Sequence, residues 1–196
     1  MQRTFRKIKE ALPEANLLVA TGNSQVYSIE SQIEGDYDLV VEPERRDTAP
    51  AIMLACAKLA FDLEADPNDS VIVLPIDTYA DDGYYKSLAR LAEAVDERPD
   101  GLVLLGIEPT YPSEKYGYIV PVDTVGDIYE VSCFAEKPSE AKAQSLIEKG
   151  ALWNGGIFGF KLGYGLDILR RYTSSKDIEE IIENYSEFPK VSFDYE

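Results

Sequence analysis

The sequence predicts an α/β fold in which a mostly parallel central sheet carries helices on both faces. Between residues 3 and 107, short apolar runs alternate with segments of helical periodicity, a pattern typical of strands joined by helical crossovers. No repeat, low-complexity tract or linker interrupts the chain, and 196 residues suffice for one domain with a sizeable core. We therefore expect a single Rossmann-like domain over residues 1–196.

The first half of the chain supplies the alternation. Phe5, Ile8 and Leu12 recur at spacings of three and four, which predicts a helix from Arg3 that Pro13 ends. The other elements predicted for this half are strands over 16–20, 37–42, 70–74 and 102–107, and helices over 25–33, 48–65 and 83–95.

The pattern changes from Tyr116 onwards. Two strand-like runs, separated by a loop that contains Asp123 and Gly126, predict a hairpin-like insertion. The elements predicted for this half are strands over 116–120, 128–134 and 156–162, and helices over 139–149, 166–172 and 178–185.

Charge and composition narrow the chemistry. The net charge of -17 argues against a nucleic-acid partner, because binding to backbone phosphates needs a basic face. The chain has no histidine, which removes histidine-dependent triads and zinc sites built on imidazole. Carboxylates, lysine and a hard metal such as Mg²⁺ remain, and this set suits phosphoryl or nucleotidyl transfer.

The sequence also predicts the cellular location of the protein and the redox state of its cysteines. No apolar run reaches the length of a membrane span, and the N-terminus lacks the apolar core of a signal peptide, so we expect a cytoplasmic protein. Cys56 and Cys133 lie in apolar stretches, and we expect both to be buried thiols rather than a disulfide.

Two segments of the second half predict a binding site. Phe134-Ala-Glu-Lys-Pro-Ser-Glu-Ala brings Glu136 and Lys137 to the end of a strand, and Leu152-Trp-Asn-Gly-Gly-Ile-Phe-Gly-Phe160 brings Asn154 to another. Lysine can neutralise a phosphate, while a carboxylate and an amide can bind hydroxyls, so these groups suit a phosphorylated polyol. The alternative is that the two charges are solvated and that Trp153 belongs to the core.

Two further segments follow predicted strands in the first half. Glu42-Pro-Glu-Arg-Arg-Asp-Thr-Ala-Pro-Ala51 leaves a strand and opens a helix, whose free backbone N–H groups favour anions and base edges. The alternative is a capped helix start with two solvated arginines. Asp77 directly follows an apolar strand and is placed to bind a metal, although a capping or turn aspartate is the alternative.

Taken together, these segments resemble the sugar-nucleotide pyrophosphorylases, most closely the mannose-1-phosphate guanylyltransferases. The resemblance rests on five motifs in the same order, which include Gly106-Ile-Glu-Pro-Thr-Tyr-Pro with Tyr116-Gly-Tyr-Ile119, and the final Val191-Ser-Phe-Asp-Tyr-Glu196. It implies nucleotide contacts by Arg46, Thr48, Ala49, Pro50 and Asp77, and sugar-phosphate contacts by Gly117, Tyr118, Glu136, Lys137 and Asn154. It also implies that Asp77 and Asp194 are Mg²⁺ ligands. The catalytic residues that it implies are Asp77, Lys137 and Asp194.

The reaction implied by the resemblance is transfer of a guanylyl group from GTP to mannose 1-phosphate, which gives GDP-mannose and pyrophosphate. The glycine-rich phosphate loop with which this family opens has no counterpart in the sequence, so we expect a partial domain with weak or no activity alone. The alternatives are a non-catalytic remnant or regulatory subunit that binds sugar phosphate or nucleotide, and a transferase for another base or sugar. A homodimer is the assembly that the resemblance suggests.

Overall fold

A computed structural model describes residues 1–76, 78–99, 101–122 and 127–193. Its α-helices each overlap a predicted helix. They are α1 (Gln2–Ala11), α2 (Val26–Gln32), α3 (Thr48–Ala57), α4 (Asp82–Glu97), α5 (Glu140–Ile147), α6 (Leu162–Leu169) and α7 (Ile178–Glu183). The strands are β1 (Leu18–Gly22), β2 (Asp38–Glu42), β3 (Ser70–Val73), β4 (Val103–Ile107), β5 (Gly117–Pro121), β6 (Val131–Ala135) and β7 (Leu152–Lys161).

The described strands form two sheets. β1 and β2 pair in parallel, while the other sheet is built around β7, which is antiparallel to β3, β4 and β5. β5 and β6 pair antiparallel, which confirms the predicted hairpin; of its loop, residues 123–126 lie outside the described residues. The long β7 therefore connects the first half of the chain to the hairpin.

The α/β class is confirmed, with parallel strands and with helices that pack on the sheets. Because β3 and β4 are both antiparallel to β7, the two run in the same direction, but β7 separates them. A strand that is buried on both faces is apolar whichever way it runs. The sequence pattern therefore could not indicate the reversed direction of β7.

The two faces of β7 pack against different helices. Phe158 and Phe160 belong to the largest core cluster, with residues of α3 and α6, whereas Ile157 packs in a cluster with residues of α4. At Gly159, an added Cβ would lie 2.6 Å from Val95 Cγ2, so α4 approaches the strand too closely for any side chain there. Successive side chains of β7 point to opposite faces of the sheet, and helices pack on both faces.

Several predicted boundaries were wrong, including the start of α6, which begins at Leu162 rather than at residue 166. The helix expected over residues 48–65 is α-helical only to Ala57 and continues as a π-helical turn over Lys58–Asp62. β7 begins at Leu152 rather than at residue 156, because its first residues pair with β5. In the described part of the chain, no helix has the length and apolar character needed to cross a bilayer.

The two cysteines lie in different environments. Cys56 is buried in α3, as predicted, but Cys133 is exposed on β6, so the prediction of two buried thiols was wrong for Cys133. β6 pairs only with β5 among the described strands, which leaves it at the edge of its sheet. Burial raises the pKa of Cys56 to about 12, which keeps this thiol protonated and unreactive at neutral pH.

We expect thiol labelling of the native protein at pH 8 to modify Cys133 and not Cys56. The thiolate is the reactive species, and Cys56 lacks both access to reagent and a pKa low enough to ionise. Mass spectrometry after brief treatment with iodoacetamide should show one modified site, and the same treatment in denaturant should show two. Equal native rates at both cysteines would contradict the burial of Cys56.

Candidate functional site

Three strands bring polar residues together at the carboxyl end of β4. Gly106, near the end of β4, pairs with Asn154 of β7, which in turn pairs with Gly117 of β5. Side chains alternate between the two faces of a sheet, so Asn154 and its neighbour Trp153 project from opposite faces. Asn154 therefore projects from the same face of the sheet to which a side chain at position 117 would point.

Glu136 follows β6 and reaches the same face. A Cβ added to Gly117 would lie 2.8 Å from Glu136 Oε2 and 3.5 Å from Asn154 Cβ. The carboxylate thus extends into space that only a glycine leaves open at this position. The structure brings Glu136 and Asn154 together, as the two sequence segments suggested, and places Gly117 beside them.

Lys137 lies beside this group. Its Nζ lies 2.9 Å from Glu136 Oε1, and the two side chains are 64% and 42% exposed. Ion pairs this exposed contribute little to stability. The backbone of Lys137 has a φ of 40°, in the left-handed region that residues other than glycine seldom adopt, and such conformations cluster at functional sites.

The orientation of the Asn154 amide follows from its local hydrogen bond. Its Oδ1 accepts the N–H of Gly156 at 3.0 Å. The NH₂ group lies on the side of Gly117, since Nδ2 would be 3.9 Å from a Cβ added there. The site thus offers a hydrogen-bond donor, a carboxylate and an ammonium group within a few side-chain lengths.

Tyr118 contributes differently from its neighbours. Its side chain is fully buried in a cluster with Ala143 and Leu146 of α5, on the opposite face of the sheet from Asn154. Its hydroxyl accepts the N–H of Ser113 at 2.8 Å and donates to the Ser113 carbonyl at 3.0 Å. Any contact between Tyr118 and a ligand on the Asn154 face would therefore come from its backbone.

The loop that follows β4, which carries one of the motifs quoted from the sequence, supports the site from behind. The rings of Tyr111 and Tyr116 lie 5.1 and 4.9 Å from the ring of Trp153, and Ser113 is buried between them in the chain. The Trp153 ring thus packs against the two tyrosine rings of this loop. The alternation of Tyr116, Gly117 and Tyr118 beside a tryptophan on the paired strand was the signal that could have predicted it.

The second group of predicted site residues lies at the start of α3. Thr48 N–H donates to the side chain of Asp47 at 2.8 Å, and Ala49 N–H donates to the carbonyl of Val191 at 3.1 Å. Pro50 has no N–H, and both Ala49 and Pro50 are buried. The expectation that this helix start offers free N–H groups was therefore wrong for Thr48 and Ala49.

Arg46 is held by the protein itself. Its Nη1 donates to the carbonyl of Phe188 at 2.7 Å, and its Nε pairs with Glu44 at 2.6 Å. The Arg46 side chain is 14% exposed, so the alternative of a solvated arginine is wrong for this residue. Just before it, Glu42 Oε2 accepts the hydroxyl of Tyr185 at 2.8 Å.

The predicted metal ligands, Asp77 and Asp194, lie outside the described residues. Within the ranges that the structure describes, no three acidic, histidine or cysteine side chains are grouped to hold a metal ion. The Mg²⁺ site therefore stays a prediction, supported only by the preference of this hard ion for carboxylate oxygens.

The profile of the family described as nucleotidyl transferase matches residues 12–195. The chain belongs to the nucleotidyl transferase family. Two relatives named mannose-1-phosphate guanylyltransferase are similar to it: the Sinorhizobium fredii (strain NBRC 101917 / NGR234) protein, 34% identical over 80% of this chain, and an Escherichia coli protein, 36% identical over 76%. This chain spans 34% of the length of each.

A solved nucleotidyl transferase neighbour shares the fold. It is the Thermus thermophilus protein described as a mannose-1-phosphate geranyltransferase, with a TM-score of 0.82 and 34% identity. The match covers 98% of this chain and 58% of the solved one. Both predicted site groups, at residues 46–50 and 117–154, thus lie within a fold that a known structure shares.

Proposed function

We propose that this chain carries the transfer site of a mannose-1-phosphate guanylyltransferase, which converts GTP and mannose 1-phosphate to GDP-mannose and pyrophosphate. The observation that carries the proposal is the group of Glu136, Lys137 and Asn154 around Gly117, at the carboxyl end of β4. Ligands of open α/β sheets bind at such strand ends. The names of the two sequence relatives support this choice of substrates.

Glu136 and Asn154 would hold the sugar in this proposal. The carboxylate accepts hydrogen bonds from hydroxyls, and the Asn154 amide, whose oxygen already accepts from Gly156, donates one. Gly117 and the backbone of Tyr118 would form the floor beneath the ring, because the missing side chain at Gly117 permits close approach.

Lys137 would act on the transferring group. A phosphate oxygen of mannose 1-phosphate forms a bond to the α-phosphorus of GTP, while the bond from that phosphorus to the leaving pyrophosphate breaks. The Lys137 ammonium group would offset the negative charge that develops, and such electrostatic stabilisation supplies most of the catalysis in this kind of transfer. Mg²⁺, held by Asp77 and Asp194, would neutralise phosphate charge when bound.

The nucleotide would bind beside the start of α3. The segment that contains Arg46, Thr48, Ala49 and Pro50 follows β2, just as the sugar group lies at the end of β4. Thr48 is exposed, whereas Ala49 and Pro50 are covered, so the exposed part of the segment offers the contact surface. Asp77, which follows β3 in the chain, would contribute to binding the phosphates through Mg²⁺.

The proposal is tested by isothermal titration calorimetry with GTP, GDP-mannose and mannose 1-phosphate, each with and without Mg²⁺. We expect binding of GDP-mannose that depends on Mg²⁺, because the net charge of -17 disfavours an anionic ligand without local cations. UTP and dTTP serve as competitors, and preference for either over GTP would indicate a different base.

A matched pair of variants locates the site. Lys137→Met should reduce mannose 1-phosphate binding by about tenfold or more, because a charge-assisted contact to phosphate is lost. Lys142→Met, on the exposed face of α5, should leave binding unchanged. If a folded wild-type chain binds none of the three ligands, the proposed function is wrong for these residues. Cytoplasmic location and a homodimer remain predictions.

A further inference from the structure

The last described segment of the chain is bound along the loop that leaves β2. We call residues 185–193 the clasp and residues 42–49 the loop. Five polar contacts join them: Tyr185 hydroxyl to Glu42 at 2.8 Å, Arg46 to the Phe188 carbonyl at 2.7 Å, Ala49 N–H to the Val191 carbonyl at 3.1 Å, Thr48 hydroxyl to Ser192 hydroxyl at 3.1 Å, and Phe193 N–H to the Thr48 hydroxyl at 3.0 Å.

These contacts advance together along both segments. Glu42 meets the start of the clasp, Arg46 its middle, and Thr48 and Ala49 its end. The two segments therefore meet at several points between Glu42 and Ala49, rather than at one. A change at one contact can thus alter the loop at the others.

The clasp is anchored away from the loop. Phe193 is 1% exposed, and its ring lies 5.2 Å from that of Phe160 and 6.1 Å from that of Phe158. Tyr185 is also fully buried, and both burial and Glu42 raise the pKa of its hydroxyl, which therefore remains a hydrogen-bond donor. The core thus fixes the clasp at both ends.

The loop has a strained residue that needs such support. Asp47 has a φ of 82°, outside the regions that residues other than glycine favour. Conformations of this kind persist only where the surroundings over-determine them. Arg46 and Thr48, on either side of Asp47, are both bound by the clasp.

We propose that the clasp sets the conformation of the loop, with Tyr185 and Arg46 as positioning residues that act on nucleotide through the loop. The guanidinium of Arg46 is bound to the Phe188 carbonyl and to the Glu44 carboxylate. Arg46 therefore affects nucleotide binding by stabilising the conformation of the loop. The part of this inference that concerns nucleotide rests on the proposed function; the part that concerns the loop does not.

Hydrogen exchange measured by mass spectrometry tests the inference without any ligand. Tyr185→Phe removes only the hydroxyl, and we expect exchange in the loop peptide to become about tenfold faster. Tyr164→Phe, in α6 with its ring packed on Phe160, should leave the loop unchanged. Glu42→Gln keeps an acceptor for Tyr185 and should stay near the wild type, whereas Glu42→Leu should match Tyr185→Phe.

Calorimetry then separates positioning from general stability. Tyr185→Phe should weaken GTP binding by about fivefold to tenfold and leave mannose 1-phosphate binding unchanged, a split that a general loss of stability would not produce. Unchanged exchange in the loop, or faster exchange across the whole chain, would overturn the proposal. If the wild type binds no GTP, the proposed function fails, and the exchange data alone decide whether the clasp sets the loop.

Discussion

Gly117→Ala should weaken the binding of mannose 1-phosphate by about a hundredfold while the fold remains intact. The added Cβ would lie 2.8 Å from Glu136 Oε2, a distance that real Cβ atoms do not tolerate. Glu136 is exposed, and its carboxylate is the end of a flexible side chain, so it can move aside without disturbing the core. The substitution should therefore displace the Glu136 carboxylate and leave the free energy of unfolding nearly unchanged.

Calorimetry with mannose 1-phosphate and a thermal melt measure the two parts of this prediction. Gly101→Ala is the matched control, because the nearest atom to its added Cβ is the Arg98 carbonyl oxygen at 4.0 Å. We expect the control to bind as the wild type does. Normal binding by a folded Gly117→Ala protein would show that the Glu136 carboxylate does not need its present position, and would remove it from the proposed site.

Local patterns in the sequence predicted that Glu136, Lys137 and Asn154 lie close together, which the structure shows, while their role in binding a sugar phosphate stays a prediction. Glu136 and Lys137 directly follow β6 and Asn154 lies near the start of β7, which brings these residues close to Gly117 of β5. The direction of β7 did not have to be known to predict that these residues lie together. Asn154 pairs with Gly106 near the end of β4 although β7 is antiparallel to β4. The close approach at Gly117 came only from the structure, since it depends on the path of Glu136 beyond its strand.

The start of α3 shows what sequence patterns cannot predict. The helix began at Thr48 as expected, but the Thr48 N–H binds the side chain of Asp47, and the Ala49 N–H and Arg46 bind the clasp, which follows about 140 residues later in the chain. Periodicity describes which face of a segment is apolar, and carries no information on which distant segment meets a polar group. The same limit applies to Glu42 and Tyr185, which no local motif joins.

One strand links the two proposed halves of the site. The first part of β7 carries Asn154 beside Gly117, and its last part carries Phe158 and Phe160 beneath the clasp. Because a strand is rigid over this length, the sugar-phosphate group and the anchor of the clasp have fixed positions relative to each other. The loop, in contrast, depends on the contacts with the clasp for its conformation.

Phe160→Ala should therefore have the largest effect on stability, a loss of about 3–5 kcal/mol in the free energy of unfolding. Phe160 is fully buried, and its ring packs against Phe193 of the clasp and Tyr164 of α6. Removing it leaves a cavity between β7, the clasp and α6. Since native proteins are stable by only about 5–15 kcal/mol, this loss brings the chain close to unfolding at room temperature.

Urea denaturation followed by circular dichroism measures the change, with Phe134→Ala as control. Phe134 is 37% exposed on β6 and should cost less than about half as much, because water already reaches its ring. Where Phe160→Ala stays folded, exchange in the clasp should rise before exchange in β7, because Phe193 loses its closest aromatic partner while the strand keeps its hydrogen bonds. Equal costs for the two variants would mean that Phe160 does not anchor the clasp, and the fixed position of the clasp would then need another cause.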